Sequence, residues 1–196
     1  MVIPPSTAPC WSDLDTDAKR ARLLSTAGEV FARDGLDAPM PAIAAAAGAG
    51  VGSVYRQFPS KRDLLAALVI ERHEEVEQEV ELALDGTEGP WQALTALLWA
   101  IAERQAADDV LGEAMVTVSE HPDVQDAVAA TMHSLESLLD AAKAEGQLRP
   151  DATAMDLRLL FAATRAARRL ESGAWRRMLE LGIDALRGDA QDEAAR

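Results

Sequence analysis

Ser53, Tyr55, Arg56 and Gln57 fall within five consecutive residues, and Lys61 follows just beyond Pro59. Between them they offer two hydroxyls, a guanidinium, a carboxamide and an ammonium. Arginine can pair with the acceptor edge of guanine, and glutamine with the donor–acceptor edge of adenine. Hydroxyl and ammonium groups suit phosphate oxygens. Val51 adds a methyl-bearing side chain for a thymine methyl group, and Gly52 an open backbone position. The set is therefore suited to reading duplex DNA rather than to moving a proton or attacking a carbonyl.

Such groups need a rigid element to present them. The stretch Pro41 to Lys61, PAIAAAAGAGVGSVYRQFPSK, reads as two short helices joined by a glycine turn. Ala44 is small enough for the helices to cross closely, Gly48 can end the first helix in the left-handed conformation, and Ile43 and Val54 can close a core beneath the turn. A rival reading is a dinucleotide-binding glycine loop, because GAGVGS places Gly48 and Gly50 correctly. The third position is Ser53, the preceding segment is alanine-rich and a poor strand, and Pro59 stops the following helix too early. The rival is rejected on those requirements.

Around this stretch, Leu23 to Leu65 resembles the DNA-binding region of TetR-type (TetR/AcrR) transcriptional regulators. The marks are Leu23, Leu24, Ala27, Val30 and Phe31, then Gly35, Ile43-Ala44, Ala47-Gly48, Gly52, Val54-Tyr55, Phe58, Ser60-Lys61 and Leu64-Leu65. Beyond them the chain resembles the family only as an all-helical domain of suitable length. It departs from the pattern at Gly50, where the family usually has Ser or Thr, at Met40, usually a small polar residue, and at Val51, often Lys. Two hydroxyl-to-phosphate contacts are thereby missing.

The resemblance implies an all-α protein of about nine helices. A three-helix helix-turn-helix DNA-binding domain would occupy residues 12–60, and a helical effector-binding and dimerisation domain residues 61–190, with flexible tails at 1–11 and 188–196. It implies a sequence-specific DNA-binding regulator, a homodimeric repressor released from a palindromic operator by a small molecule. The DNA-binding residues would be Val51, Gly52, Ser53, Tyr55, Arg56, Gln57 and Lys61. The alternative is a helical small-molecule-binding or interaction protein whose head does not read DNA.

Composition bounds the rest. The net charge is −14, so a sequence-blind nucleic-acid coat, which would be basic, is excluded. Residues 1–72 hold eight basic and eight acidic side chains, so the whole acidic excess lies later. Exposed charges more than about 8–10 Å apart are screened at physiological salt, so a distant acidic region does not forbid DNA binding. No apolar run approaches the roughly 20 residues of a membrane span. The N-terminus lacks a basic region followed by an apolar core, and a single cysteine, Cys10, fits a reducing cytoplasm. No catalytic triad, metal-ligand spacing or phosphate loop stands out, so no enzyme activity, metal or cofactor is expected. His73 has only Glu77 at helical spacing, too little for a metal; His121, before Pro122, suits a cap or a loop.

Helical periodicity places helices at about Thr16–Arg33, from Pro41, Val51–Phe58, Ser60–Leu84, Trp91–Ala107, Val110–Ser119, Val124–Ala144, Ala152–Glu171 and Ala174–Leu186. Ser60 to Asp63 forms a capping-box start with Asp in place of Glu. Large soft residues of the body, Trp99, Met115, Met132 and Phe161, with Arg165, are the candidate lining of an effector pocket. Arg158, Arg165, Arg169 and Arg176 read first as a solvated stripe. On the last two helices, Leu157, Phe161, Thr164, Trp175, Met178, Leu179 and Gly182 are the candidate dimer interface, by the family resemblance.

Overall fold

The computed structural model describes residues 10–87, 89–107, 109–171 and 173–188. Most of the expected tails, 1–9 and 189–196, lies outside the described residues. Among those described there are nine α-helices: α1 Thr16–Asp34, α2 Met40–Ala47, α3 Val51–Gln57, α4 Lys61–Asp85, α5 Pro90–Ala107, α6 Asp109–Thr117, α7 Pro122–Ala144, α8 Ala154–Arg168 and α9 Ala174–Leu186. The all-α expectation holds, and observed boundaries either coincide with the periodic reading or differ from it by at most three residues.

The differences have local causes. Helix α8 begins at Ala154 because Thr153 takes the cap: its amide and hydroxyl both donate to Asp156 Oδ2 at 2.8 Å. Glu136 accepts the next amide, that of Ala154, at 2.7 Å. These interactions occupy orphan donors that every helix start exposes. One element had no warning in the periodicity, a single 3₁₀ turn at Trp11–Asp13 ahead of α1.

The chain divides into two compact units. The first contains the described residues up to Val69 together with Val110–Ser119. Its core includes Leu23, Ala27, Val30, Phe31, Ile43, Ala44, Val54, Phe58, Leu64 and Val69, all nearly inaccessible. The second contains Ile70–Asp109 and the described residues from Glu120 onward. Its core draws on α5, α7, α8 and α9, with Val76 and Val80 from α4. Helix α4 thus contributes its start to one unit and its length to the other.

In the second unit, α8 and α9 lie against each other, and the end of α9 is tied to the segment between α7 and α8. Arg149 N–H donates to Leu186 O at 3.0 Å and Gly188 N–H to Gln147 O at 2.9 Å. Among the described residues, no helix is long and apolar enough to cross a membrane, and no cluster of His, Cys, Asp and Glu could hold a metal ion.

Candidate nucleic-acid interface

The interface is built from a turn. Gly48 adopts φ 68°, ψ 26°, a left-handed conformation that an L side chain rarely takes. Its amide bonds to Ala44 O and Ala45 O, and Ala49 N–H returns to Ala44 O at 2.9 Å. This closure satisfies the last carbonyls of α2 and turns the chain at once into α3. Space is not the reason for glycine here, since a Cβ would meet only the guanidinium of Arg22, at 3.9 Å. Gly50 then stands at the N-cap of α3 with φ −71° and gives no side-chain cap.

Helix α3 has one anchor. Val54 is fully buried, and it is the only buried residue of the helix. Val51 is 41% exposed and Tyr55 44%. Gly52 and Arg56 are also exposed, and Ser53 and Gln57 are half-buried. Five of the six side chains expected on the reading surface, with the glycine, are therefore on one short helix, none of them buried; the sixth, Lys61, begins α4. Arg56 Nη2 donates to Ser53 Oγ at 2.8 Å, which lays the guanidinium back along the helix. A Cβ on Gly52 would meet nothing closer than Arg56 Nη1 at 3.9 Å. Among the described residues, nothing requires glycine at that position.

Basic side chains around α3 are braced by aromatic rings. The Arg20 guanidinium lies over Phe58, 4.7 Å from its centroid. Lys61 Nζ lies 5.8 Å from the centroid of Phe31. Both are cation–π distances. Lys61 also begins α4, whose cap is the expected box: Ser60 N–H and Oγ both donate to Asp63 Oδ2, at 2.8 and 2.7 Å, and Asp63 N–H returns to Ser60 Oγ at 3.2 Å.

The structure adds Trp11 and Ser12, which motif reading overlooked, beside Lys19, one of the basic side chains of the N-terminal part. Trp11, Ser12 and Lys19 line a groove together with Ser53, Arg56 and Gln57, with a volume of about 370 Å³. The signal was present in the aromatic residue four positions before Asp15, which caps α1 by accepting from Ala18 N–H at 2.8 Å. Cys10, at the start of this segment, is an exposed free thiol.

The body places its candidate residues differently. Trp99, Met132 and Phe161 are partly buried and pack against the core of the second unit. Trp99 meets Trp175 edge-on, with centroids 6.2 Å apart. Met115 belongs to the first unit, so the expected lining is not brought together in one unit. Arg165 is half-buried on α8, while Arg158, Arg169 and Arg176 are exposed. Arg176 covers the ring of Trp175 at 4.4 Å. Arg168, which carried no expectation, donates to Gln105 O and Ala106 O and so caps the end of α5. A surface notch of about 260 Å³ lies between α8, α9 and the segment before α8, lined by Arg149, Asp156, Leu160 and Gly182 among others.

The residues expected at a dimer interface are mostly consumed within one chain. Leu157 and Leu179 are 0% exposed, Thr164 3% and Trp175 6%. The hydroxyl of Thr164 bonds to Phe161 O at 2.9 Å. Phe161, Met178 and Gly182 are only partly covered. At Gly182 a Cβ would lie 2.2 Å from Leu160 Cδ1, so its small size is used by α8 of the same chain. This burial has a simple cause: α8 and α9 bury their apolar stripes against each other. What they leave outside is Met155, Leu159 and Leu181, at 54%, 60% and 47% exposure.

One polar group is unusually enclosed. His73 on α4 lies 3.0 Å from the hydroxyl of Thr131 on α7, which in turn lies 3.0 Å from Glu77 Oε1. His73 Nε2 is buried without a partner. Burial lowers the imidazole pKa below its ordinary value; Arg72 and Arg158 lower it further, and Glu77 opposes them. His121 stands at the N-cap of α7 without a side-chain cap, 4.0 Å from Asp123.

Known proteins agree with this geometry. Residues 23–68 match the model of bacterial regulatory proteins of the tetR family, and residues 89–188 the C-terminal domain of SbtR-like transcriptional regulators. A TetR transcription regulatory protein from Mycobacterium vanbaalenii is 32% identical, covering 86% of this chain and 94% of its own, with a TM-score of 0.62. The TetR transcriptional regulator SCO0520 of Streptomyces coelicolor is 28% identical over 87% and 99%, with a TM-score of 0.67. SmeT, the repressor of a Stenotrophomonas maltophilia multidrug efflux pump, is 25% identical over 90% and 94%, at 0.64. No curated protein matches the sequence.

Proposed function

The chain belongs to the TetR family of DNA-binding transcriptional regulators, and from that premise we propose a homodimeric repressor that leaves a palindromic operator when a small molecule binds its body. The observation that carries the reading is the single anchor of α3. Val54 alone is buried, so the helix offers the rest of its surface to a partner.

In this reading α3 enters the major groove. Arg56, Gln57 and Ser53 face base edges, with Arg56 leaving Ser53 to reach guanine. Tyr55 and Lys61 bind phosphates, and Val51 meets a thymine methyl group. Gly52, whose size no intramolecular neighbour requires, lets the helix axis approach the DNA backbone. One short helix contacts too few bases for a specific site. Two, held about 34 Å apart by a dimer, read both halves of a palindrome.

Helices α8 and α9 supply that dimer, through the apolar side chains they leave exposed. Met155, Leu159, Ala162 and Ala166 fall on one stripe of α8, and Leu181 and Ala185 on α9, all exposed. Phe161, Met178 and Gly182 border that surface. The effector is taken by the second unit near Trp99, Met132, Phe161 and Arg165. It must bind the released form more tightly than the DNA-bound form, or it shifts nothing. Helix α4 starts immediately after the reading segment and is the natural lever. The family likeness of the body and the repressor SmeT, similar over nearly the whole chain, support control of this kind.

The test is selection of the purified protein from a pool of random duplexes at moderate salt. An enriched palindrome that Tyr55→Ala no longer binds is the expected result. No enrichment from a folded dimer, even after unfolding, dialysis and refolding to remove any bound ligand, overturns the reading. It would favour a helical small-molecule-binding protein, consistent with Gly50, Met40 and the acidic balance.

A further inference from the structure

We propose that the segment before α1 is a second DNA-contacting element, in which Trp11 and Lys19 hold the sugar-phosphate backbone alongside the bases read by α3. The inference rests on the DNA-reading assignment of α3 and extends it to residues outside the helix-turn-helix.

The argument starts from the groove. Its lining is Trp11, Ser12, Lys19, Ser53, Arg56 and Gln57. Every one of these side chains carries a hydrogen-bond donor, two are cations, and none is a carboxylate. That composition is unusual in a chain with 33 acidic residues and 19 basic ones. Of the carboxylates nearby in sequence, Asp15 caps α1, Asp13 accepts from Ser12 Oγ at 2.9 Å, and Asp17 stands in the first turn of α1; none of the three lines the groove. A wall of donors with local positive charge selects an anion.

Continuity identifies the anion. Half of the lining belongs to the reading surface of α3: Ser53, Arg56 and Gln57. A duplex lying against those residues lies against the other wall as well. A phosphodiester strand is the part of DNA that can satisfy such a wall, since phosphate and sugar take most protein–DNA hydrogen bonds. Trp11 is half-buried, so its indole is held rather than loose. It offers an N–H donor and an apolar ring edge, which suit a phosphate oxygen and the adjoining deoxyribose. Lys19 supplies the charge. The missing hydroxyl contacts at Gly50 and Met40 are then offset from another part of the chain.

The experiment uses the full-length protein and the duplex enriched by selection. Operator affinity is measured over a salt series for wild type, Trp11→Ala, Trp11→Phe, Lys19→Ala and Tyr55→Ala, with circular dichroism confirming the fold of each. Lys19→Ala is expected to lower the salt slope by about 0.9 per half-site. Trp11→Ala is expected to weaken binding about tenfold per half-site, as for loss of one hydrogen bond to a charged group, and Trp11→Phe by less. Trp11 is the one tryptophan of the first unit, so the change in emission on adding operator should be lost in Trp11→Phe.

If Tyr55→Ala abolishes binding while affinity, salt slope and emission change are unaltered in the Trp11 and Lys19 variants, this proposal is overturned and the reading of α3 survives. If no duplex is selected by the wild type, the reading of α3 and this extension fall together. Weaker binding at Trp11 and Lys19, with a retained sequence preference, establishes the second element.

Discussion

The reading head and the helical body use their residues in opposite ways. In the first unit, α3 buries one side chain and offers the others outward. In the second, α8 and α9 bury the large apolar residues of their facing stripes and leave smaller apolar patches outside. The proposed DNA-reading surface depends on a local backbone path, set by Gly48 and the Ser60 cap. A subunit surface depends on which face of a helix pair its own chain has already covered. The first can be read along the sequence. The second is known only once the neighbours are placed.

The sharpest way to break this contrast is Leu179→Ala. A fully buried leucine in a packed core should cost about 2–5 kcal/mol when truncated, read as a lower denaturant midpoint. A variant that keeps its fold but becomes monomeric by light scattering would put Leu179 at the subunit surface instead, and the contrast would fail. Arg56→Ala should do the reverse. It should leave the denaturant midpoint nearly unchanged, because the side chain is exposed, while costing about 1–3 kcal/mol per half-site in operator binding and relaxing preference at particular bases. An unaltered preferred sequence would remove Arg56 from the base-reading set.

Gly182→Ala tests the helix pair from the other side. Overfilling the contact with Leu160 should destabilise the chain by about 1–3 kcal/mol. Monomer formation without loss of stability would show that Gly182 acts through the subunit contact rather than through Leu160. Lys61→Ala should weaken binding to all duplexes alike and lower the salt slope by about 0.9 per phosphate, near 2 for a dimer.

The smallest expected effect is a pH dependence from His73. Its folded pKa lies below the ordinary value of 6.5, chiefly through burial. Below that value the unfolded chain takes up a proton that the folded chain resists. Stability should therefore fall as pH drops through about 6.5, and be unaffected by this group above it. The groups facing the ring are Thr131 on α7, Arg72 and Glu77 on α4, and Arg158 on α8. His73→Gln should flatten that part of the stability profile; a profile unchanged by the substitution would remove His73 as its source.

Much of the head was legible because its determinants are close in sequence. Gly48, Val54, Pro59 and the Ser60–Asp63 box each act within a few residues, and each is found as its type and spacing predict. The Trp11–Asp13 turn escaped because one 3₁₀ turn has no periodicity. Its meeting with Ser53, Arg56 and Gln57 spans about 40 residues of intervening chain. In the body, helix positions were legible from their apolar spacing, but Leu157 and Trp175 satisfy an internal packing stripe and a subunit stripe equally well on paper. Within one chain both are buried. Met115 and Met132 looked alike for the same reason, and fall in different units.

The close seating of Leu160 beside Gly182 makes the two positions one variable, volume, divided between two helices. Size added at one is tolerable only if it is surrendered at the other. Gly182→Ala should thus be milder in a Leu160→Ala background than alone, a non-additivity expected of residues in contact. Among sequences descended from this one, drift at either position would be inherited as a correlated pair, and the bulk of residue 160 could be forecast from residue 182 alone.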